Sequence, residues 1–420
     1  MKSSLLQAVL PLISSFGLSL SSPIARRDGT TMQMNGPGGQ SVGAAYFITN
    51  EQTGNFVVAA DIGTDGTLTL RQAIATGGLG LHGNVGGVAV GPDGLFTQGA
   101  IKVSTAANML ATVNPGSNTL SLFSIDTSDP INLKRVGDPI GSGGEFPVSV
   151  AFNKAGDTLC ALNGGQVNGV SCFKVDPTNG LTNISGTNRA LNLNQTTPAT
   201  GPAGSASHII FSEDNTQLIA SVKGVPPTPG FLAVWDVASD GSLSPEFTAI
   251  APAQGGLLPF SMTLIEGKDA ILATDAGVGF DIFDFSTSNS GNASSVVPID
   301  GQSATCWSSF SSQTGNFYLT DIGTSMVTEV NVDANLKGSI VKQYAQGNDS
   351  GTIDNDIASI GGKDFMYVLA ANATAIDVLS LNAPGQAQNI QKVDIAGPAR
   401  SAGLDISSSV QGMTTFIKSL

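Results

Sequence analysis

The sequence predicts an all-β chain, a single seven-bladed β-propeller closed by strands from both termini. Three observations carry that expectation: a composition suited to strands and tight turns, a four-strand unit that recurs six times, and an incomplete seventh unit near the N-terminus.

Charged residues make up only 12% of the 420, hydrophobic residues 41%, and there are 52 glycines. Such a chain has little material for long Glu/Lys-bearing helical faces and too much apolar content for disorder. The formal charge of -14, with no basic run anywhere, argues against nucleic acid, because phosphate binding depends on clustered Lys and Arg.

The N-terminus reads as an export signal. Met1-Lys2 begins it, an apolar stretch runs from Leu5 to Leu20, and Ser21-Ser22-Pro23 offers small residues for cleavage. A signal peptide is therefore expected over 1–22 and a short propeptide over 23–27, ending at the dibasic pair Arg26-Arg27. The apolar run is too short and interrupted to span a bilayer, so no membrane span is expected. Export to the medium or cell wall gives weight to the sequons at Asn183, Asn194, Asn292, Asn348 and Asn372, each in a polar stretch. It also favours a disulfide between Cys160 and Cys172, whose intervening LNGGQVNGV turns the chain back on itself and sets the two on neighbouring strands. The third cysteine, Cys306 beside Trp307, is expected to be a buried hydrophobe. No Cys/His spacing suits a metal, and no cofactor is expected.

The repeat emerges when strand runs are aligned. FPVSVAFNKAGDTLCALNGGQVNGVSCFKVDPTNGLTNIS, from Phe146, alternates four short strands with polar or glycine-bearing turns. The same order recurs in segments beginning IKVSTAANML, SHIIFSEDN, FSMTLIEGK, TCWSSFSSQ and DIASIGGKD. The segment AAYFITN to RQAIA supplies only three strands, and its missing first strand is expected from AGLDIS near the C-terminus, with GMTTFIK as the uncertain remainder. One domain over 43–420 results, with no unprotected edge at the seam, and a six- or eight-bladed ring is the structural alternative.

Two motifs are set aside. GLGLHG, Gly78 to Gly83, matches a dinucleotide fingerprint, but NVGGVAVGPDGLF follows it and is too glycine-rich for the helix that motif requires. It is expected as a long loop on one face, with His82 exposed or at the rim. No G-x-S-x-G elbow is present for a serine hydrolase.

The blade pattern, together with SHIIFSEDNTQLIAS and PDGLFTQGAIKVSTAANMLATVNPGSNTLSLFSID, resembles the lactonase-type seven-bladed propellers, and within them the secreted fungal 3-carboxymuconate cyclase-like proteins. The resemblance implies a fungal source and a cofactor-independent site in the central funnel. That site would use a histidine, a carboxylate and arginines that hold the carboxylates of a muconate or lactone. His208 matches the histidine segment and Asp275 the carboxylate position. The arginines do not carry over: LPFSMTL and GQSATCWSS stand where they are expected. Of Arg71, Arg135, Arg189 and Arg400, only Arg400 stands at a blade start, and Lys223 is a further candidate cation, with Asp321 and Asp61 as further acids of the funnel.

Two functions follow as expectations. One is a secreted lactonase or cycloisomerase with His208 as general acid or base and Asp275 as its partner. The other is a non-catalytic extracellular or cell-wall propeller in adhesion or host interaction, its partner a host or wall macromolecule. Each candidate also has a structural alternative. His208 could fill the funnel wall, and Asp275 and Asp321 could cap their own turns.

Overall fold

The computed structural model describes residues 30–34, 40–286 and 294–419. The expected signal peptide, the dibasic site and the Asn292 sequon lie outside these residues.

Seven antiparallel sheets of four or five strands form the blades. Their innermost strands are Gln411–Ile417 in blade 1, Ile101–Ser104 in blade 2, Pro147–Phe152 in blade 3 and Ala206–Phe211 in blade 4. Pro259–Leu264, Thr305–Ser311 and Thr352–Ile360 hold the same place in blades 5, 6 and 7. Each packs on the next around a central axis, and Thr352–Ile360 packs back on Gln411–Ile417 to complete the ring. Side chains buried between the blades, among them Trp235, Tyr46, Phe123 and Phe173, form the core.

The closing strand differs from the expected one. Gln411–Ile417 pairs antiparallel with Ser41–Ile48, the second strand of blade 1. Ala402–Ser407, the AGLDIS segment, is irregular and follows a short helix, Ala396–Ser401. QGMTTFI is buried along nearly its whole length, as an innermost strand is, whereas AGLDIS carries a glycine at φ +78° and forms no strand. Upstream of residue 43, Thr31–Gln33 pairs with Leu68–Ala75 and adds an outermost strand to blade 1.

A hydroxyl at the end of the second strand repeatedly ties one blade to the next. Ser221 Oγ donates to Phe260 O, Thr274 Oγ1 to Cys306 O and Thr320 Oγ1 to Ile353 O, linking blades 4 to 7 in order. Cys160 and Cys172 stand directly opposite on neighbouring strands of blade 3, Cα atoms 4.0 Å apart, and form the expected disulfide. Cys306 is buried and free, and burial pushes its thiol pKa well up. Asn183, Asn194, Asn348 and Asn372 are exposed. Among the described residues, no helix is long and apolar enough to cross a membrane.

Closure depends on Gly412, which has φ +75° and where a Cβ would lie 2.6 Å from Ile101 Cγ2 in blade 2. Gly412→Ala should therefore lower unfolding stability by about 2 kcal/mol, combining a left-handed alanine with a steric clash. Urea denaturation checks it; an unchanged midpoint would mean the seam relaxes freely.

Candidate functional site

The linkers that lead into the innermost strands lie at one end of the axis, here the near end; the turns that follow those strands lie at the far end. The linker into blade 2 is long. It carries a small hairpin, Asn84–Val85 with Val88–Ala89, where a dinucleotide fold would have a helix. His82 is half-buried in this linker, its Nε2 2.9 Å from Asn50 O.

The end of the same linker fills the channel. Asp93 and Phe96 adopt positive φ, and Gly99 follows at φ +88°, so the chain folds back on itself across the axis. Three consecutive carbonyls are then met by donors from different blades. Phe96 O accepts from Lys223 Nζ of blade 4 at 2.8 Å. Thr97 O accepts from Trp307 Nε1 of blade 6 at 2.8 Å and from Gln411 Nε2 of blade 1 at 3.3 Å. Gln98 O accepts from Ser149 Oγ of blade 3 at 2.7 Å. The Gln98 amide adds a two-way pairing with the Ser308 backbone, at 2.9 and 3.0 Å. This plug was not foreseen from the sequence, because its bonds join residues that lie as much as 314 positions apart.

The side chains at plug level share one structural position. The innermost strands of blades 3 to 7 each carry a register shift near their start, between Pro147 and Ser149, Ala206 and His208, Pro259 and Met262, Thr305 and Trp307, and Thr352 and Asn355. Such bulges turn side chains out of the regular alternation. Ser149, His208, Ser261, Trp307 and Asp354 sit in or beside these bulges.

His208 is buried, and its Nδ1 accepts the Met262 backbone N–H at 3.0 Å. The ring proton is therefore on Nε2, which has no partner among the described residues. A Cβ on Gly99 would lie 3.2 Å from that nitrogen, so the plug backbone covers it. Burial, helped by the Lys102 charge, holds the His208 pKa well below the usual histidine range. The residue is a neutral imidazole with one N–H and no free basic nitrogen.

Asp275 is not brought to His208 by any hydrogen bond. Its carboxylate accepts from Leu257 N at 2.6 Å, Leu258 N at 3.0 Å and Gly277 N at 2.8 Å. Asp321 repeats the arrangement with Ser303, Ala304, Gly323 and Thr324. Both close the turn at the end of a second strand and pin the linker entering their own blade, as Asn163 does in blade 3 through Ser142. Next to Asp275 lies Asp281, a buried acid whose pKa is raised by burial and then by the Asp275 charge.

Nor do the arginines reach the axis. Arg400 is exposed on the helix Ala396–Ser401. Arg71 pairs with Asp61 at 3.2 Å inside blade 1, which also removes Asp61 from the channel. Arg135 faces Asp138 at 3.6 Å, and Arg189 donates to Leu243 O and Ser244 O between blades 3 and 4. Lys223 does reach the axis, but it is buried, bonded to Phe96 O and Ser207 Oγ, and 4.3 Å above the Phe260 ring. Burial lowers its pKa to about 8 against the opposing pull of Asp93.

Asp93 and Asp354, which sequence reading missed, meet through Gln411. The Gln411 amide donates to Asp93 Oδ1 at 3.2 Å and Asp354 Oδ2 at 2.8 Å, and Gly412 N adds 2.8 Å to the latter. Burial raises both acids, Asp354 to about 7, although these N–H groups favour its ionised form.

Residues 40–198 match the family model described as Lactonase, 7-bladed beta-propeller. No curated protein matches the chain. Among solved structures, a protein from Lactobacillus plantarum superposes with a TM-score of 0.63 at 14% identity, covering 90% of this chain and 100% of its own. A Bacteroides fragilis protein assigned as a 6-phosphogluconolactonase gives 0.60 at 12%, covering 91% and 100%. The periplasmic gluconolactonase of Pseudomonas aeruginosa gives 0.51 at 18%, covering 68% and 82%. These likenesses show the fold, a seven-bladed β-propeller.

The buried acids set a pH dependence. Asp354 has a folded pKa raised above its unfolded value, so its contribution is present in full below the ordinary carboxyl range and is lost as pH rises through about 7. His208 acts in the opposite sense below the unfolded histidine pKa of about 6.5, and Lys223, lowered to about 8, acts in the opposite sense near and above pH 8. The melting temperature should therefore rise on going from pH 7.5 to pH 6.5, between the ranges of Lys223 and His208, and Asp354→Asn should reduce that slope. A slope of the same size in the variant would mean that Asp354 does not titrate in this window.

Proposed function

We propose that this chain is a secreted propeller of the 3-carboxymuconate cyclase-like kind that works by binding and has no catalytic centre at its near end. The plug carries this reading: the backbone of Phe96, Thr97 and Gln98 fills the part of the channel where a funnel substrate would lie. A muconate trianion would need fixed cations there, and Lys223, the lysine at that level among the described residues, is spent on Phe96 O and Ser207. Secretion as a fungal glycoprotein is supported by the Met1–Ser22 stretch, the Cys160–Cys172 disulfide and four exposed sequons. In this reading the partner is an extracellular or wall macromolecule.

A second reading, a lactonase or cycloisomerase, has one observation in its favour. His208 Nε2–H is a buried donor without a partner, and a neutral imidazole N–H can polarise a lactone carbonyl. It cannot serve as a base while Nδ1 holds Met262 N.

Purified protein from a secreting fungal host, assayed on muconates and on γ- and δ-lactones including gluconolactone, should show no turnover above background. Turnover that disappears in His208→Ala would overturn the binding reading in favour of the enzyme. In the same preparation, treatment with an N-glycan-removing enzyme should lower the apparent mass. Protein that stays inside the cell and shows no mass shift would remove the secretion proposal.

A further inference from the structure

At the far end of the axis the innermost strands of blades 2 to 5 surround a recess of about 360 Å³, a size typical of small-molecule pockets. Its wall is apolar, made by Val150, Phe152, Ile209, Phe211 and Leu264. Lys102 comes from the same wall, between Ile101 and Val103 on an innermost strand, and is half-buried. A lysine in this place is unusual, because burial of an ammonium is unfavourable unless something accepts its protons.

Nothing among the described residues does so. The Lys102 ammonium makes no hydrogen bond or ion pair there, although its charge is felt by His208, Asp354 and Asp356. Asp354 gives its Oδ2 to Gln411 and Gly412. Asp356 gives its Oδ2 to Thr415 N and Oγ1 at 2.8 and 2.9 Å. At the rim, Lys154 is exposed, and Glu213 receives Gly267 N at 3.1 Å. The recess therefore combines an apolar wall with one unpartnered inner cation, and the acid in its lining is Glu213 at the rim. A polyanion would meet Glu213 at the rim, and a purely apolar ligand would leave the ammonium unsatisfied. One carboxylate on an apolar body satisfies both parts of the wall.

We propose that the far-end recess binds a small monocarboxylate with an alkyl or aryl body, its carboxylate on the Lys102 ammonium and its body against Phe152, Ile209 and Leu264. The site is separate from the plugged end and stands whether or not that end turns over lactones.

Isothermal titration of the full-length secreted protein with decanoate, decanol and inorganic phosphate tests it. The expected result is saturable one-to-one binding of decanoate, about tenfold weaker binding of decanol, and no binding of phosphate. Lys102→Met should weaken decanoate about tenfold and leave decanol unchanged, Lys102→Arg should restore most of the affinity, and exposed Lys268→Met should have no effect. Melting curves of the variants verify that they fold. Absence of saturable decanoate binding, decanol binding as tight as decanoate, or full affinity in folded Lys102→Met would each overturn the proposal.

Discussion

Three consecutive peptide carbonyls, those of Phe96, Thr97 and Gln98, are held across the propeller axis by donors from four blades. A ring of seven sheets leaves a gap at its centre, and polar groups that face the gap must find water, a ligand or protein. Here the chain fills part of that gap with its own backbone. The Trp307 indole, the Ser149 hydroxyl and even the Lys223 ammonium then have acceptors, whereas His208 Nε2 does not. The unusual burial of Lys223 follows from this arrangement. A carbonyl, a hydroxyl and the face of the Phe260 ring replace its hydration, and burial lowers its pKa.

The seam depends on the same centre. Gln411 opens the closing strand, and its amide reaches the plug through Thr97 O and Asp93 and the neighbouring blade through Asp354. The residue that completes blade 1 thus also fixes the plug. Both acids it touches are buried and shifted toward the neutral form, so the junction avoids two like charges in a dry site. Removing the plug and opening the ring are therefore linked events, which distinguishes this segment from a lid that swings free.

Blade number and strand order were legible in the sequence because they rest on local signals, apolar alternation and glycine-bearing turns repeated along the chain. The pairing of Cys160 with Cys172 was legible for the same reason, since a short glycine-rich turn joins the two strands. The closing strand was harder. AGLDIS and GMTTFIK are both short apolar runs near the C-terminus, and only pairing with Ser41–Ile48, far away in sequence, separates them. The plug was illegible in principle. PDGLFTQG reads as a loop, and nothing within it says that its carbonyls will face Trp307 or Lys223. Lys102 left a faint trace, a lysine inside the strand IKVS, where the other innermost strands carry no lysine or arginine.

The candidate site shows why residue type at a matched position is weak ground for a role. His208 occupies the bulge near the start of its innermost strand, and Ser149, Trp307 and Asp354 occupy the corresponding places in blades 3, 6 and 7. The position turns a side chain toward the axis, and what that side chain does depends on what it meets there. Ser149 and Trp307 meet plug carbonyls and donate to them. His208 meets the α-carbon of Gly99, which accepts nothing, and its other nitrogen is claimed by Met262 N. Backbone N–H groups never accept, so Met262 fixes the tautomer, and with it the only chemistry left to this ring is donation. The similar Asp275 has its carboxylate engaged by three backbone N–H groups and cannot reorient the imidazole without unpairing a linker. A histidine and an aspartate in family-like places are thus separated by the hydrogen bonds each already makes, and an acid–base pair could form only if the plug, the Met262 contact and the turn of blade 5 all rearranged together.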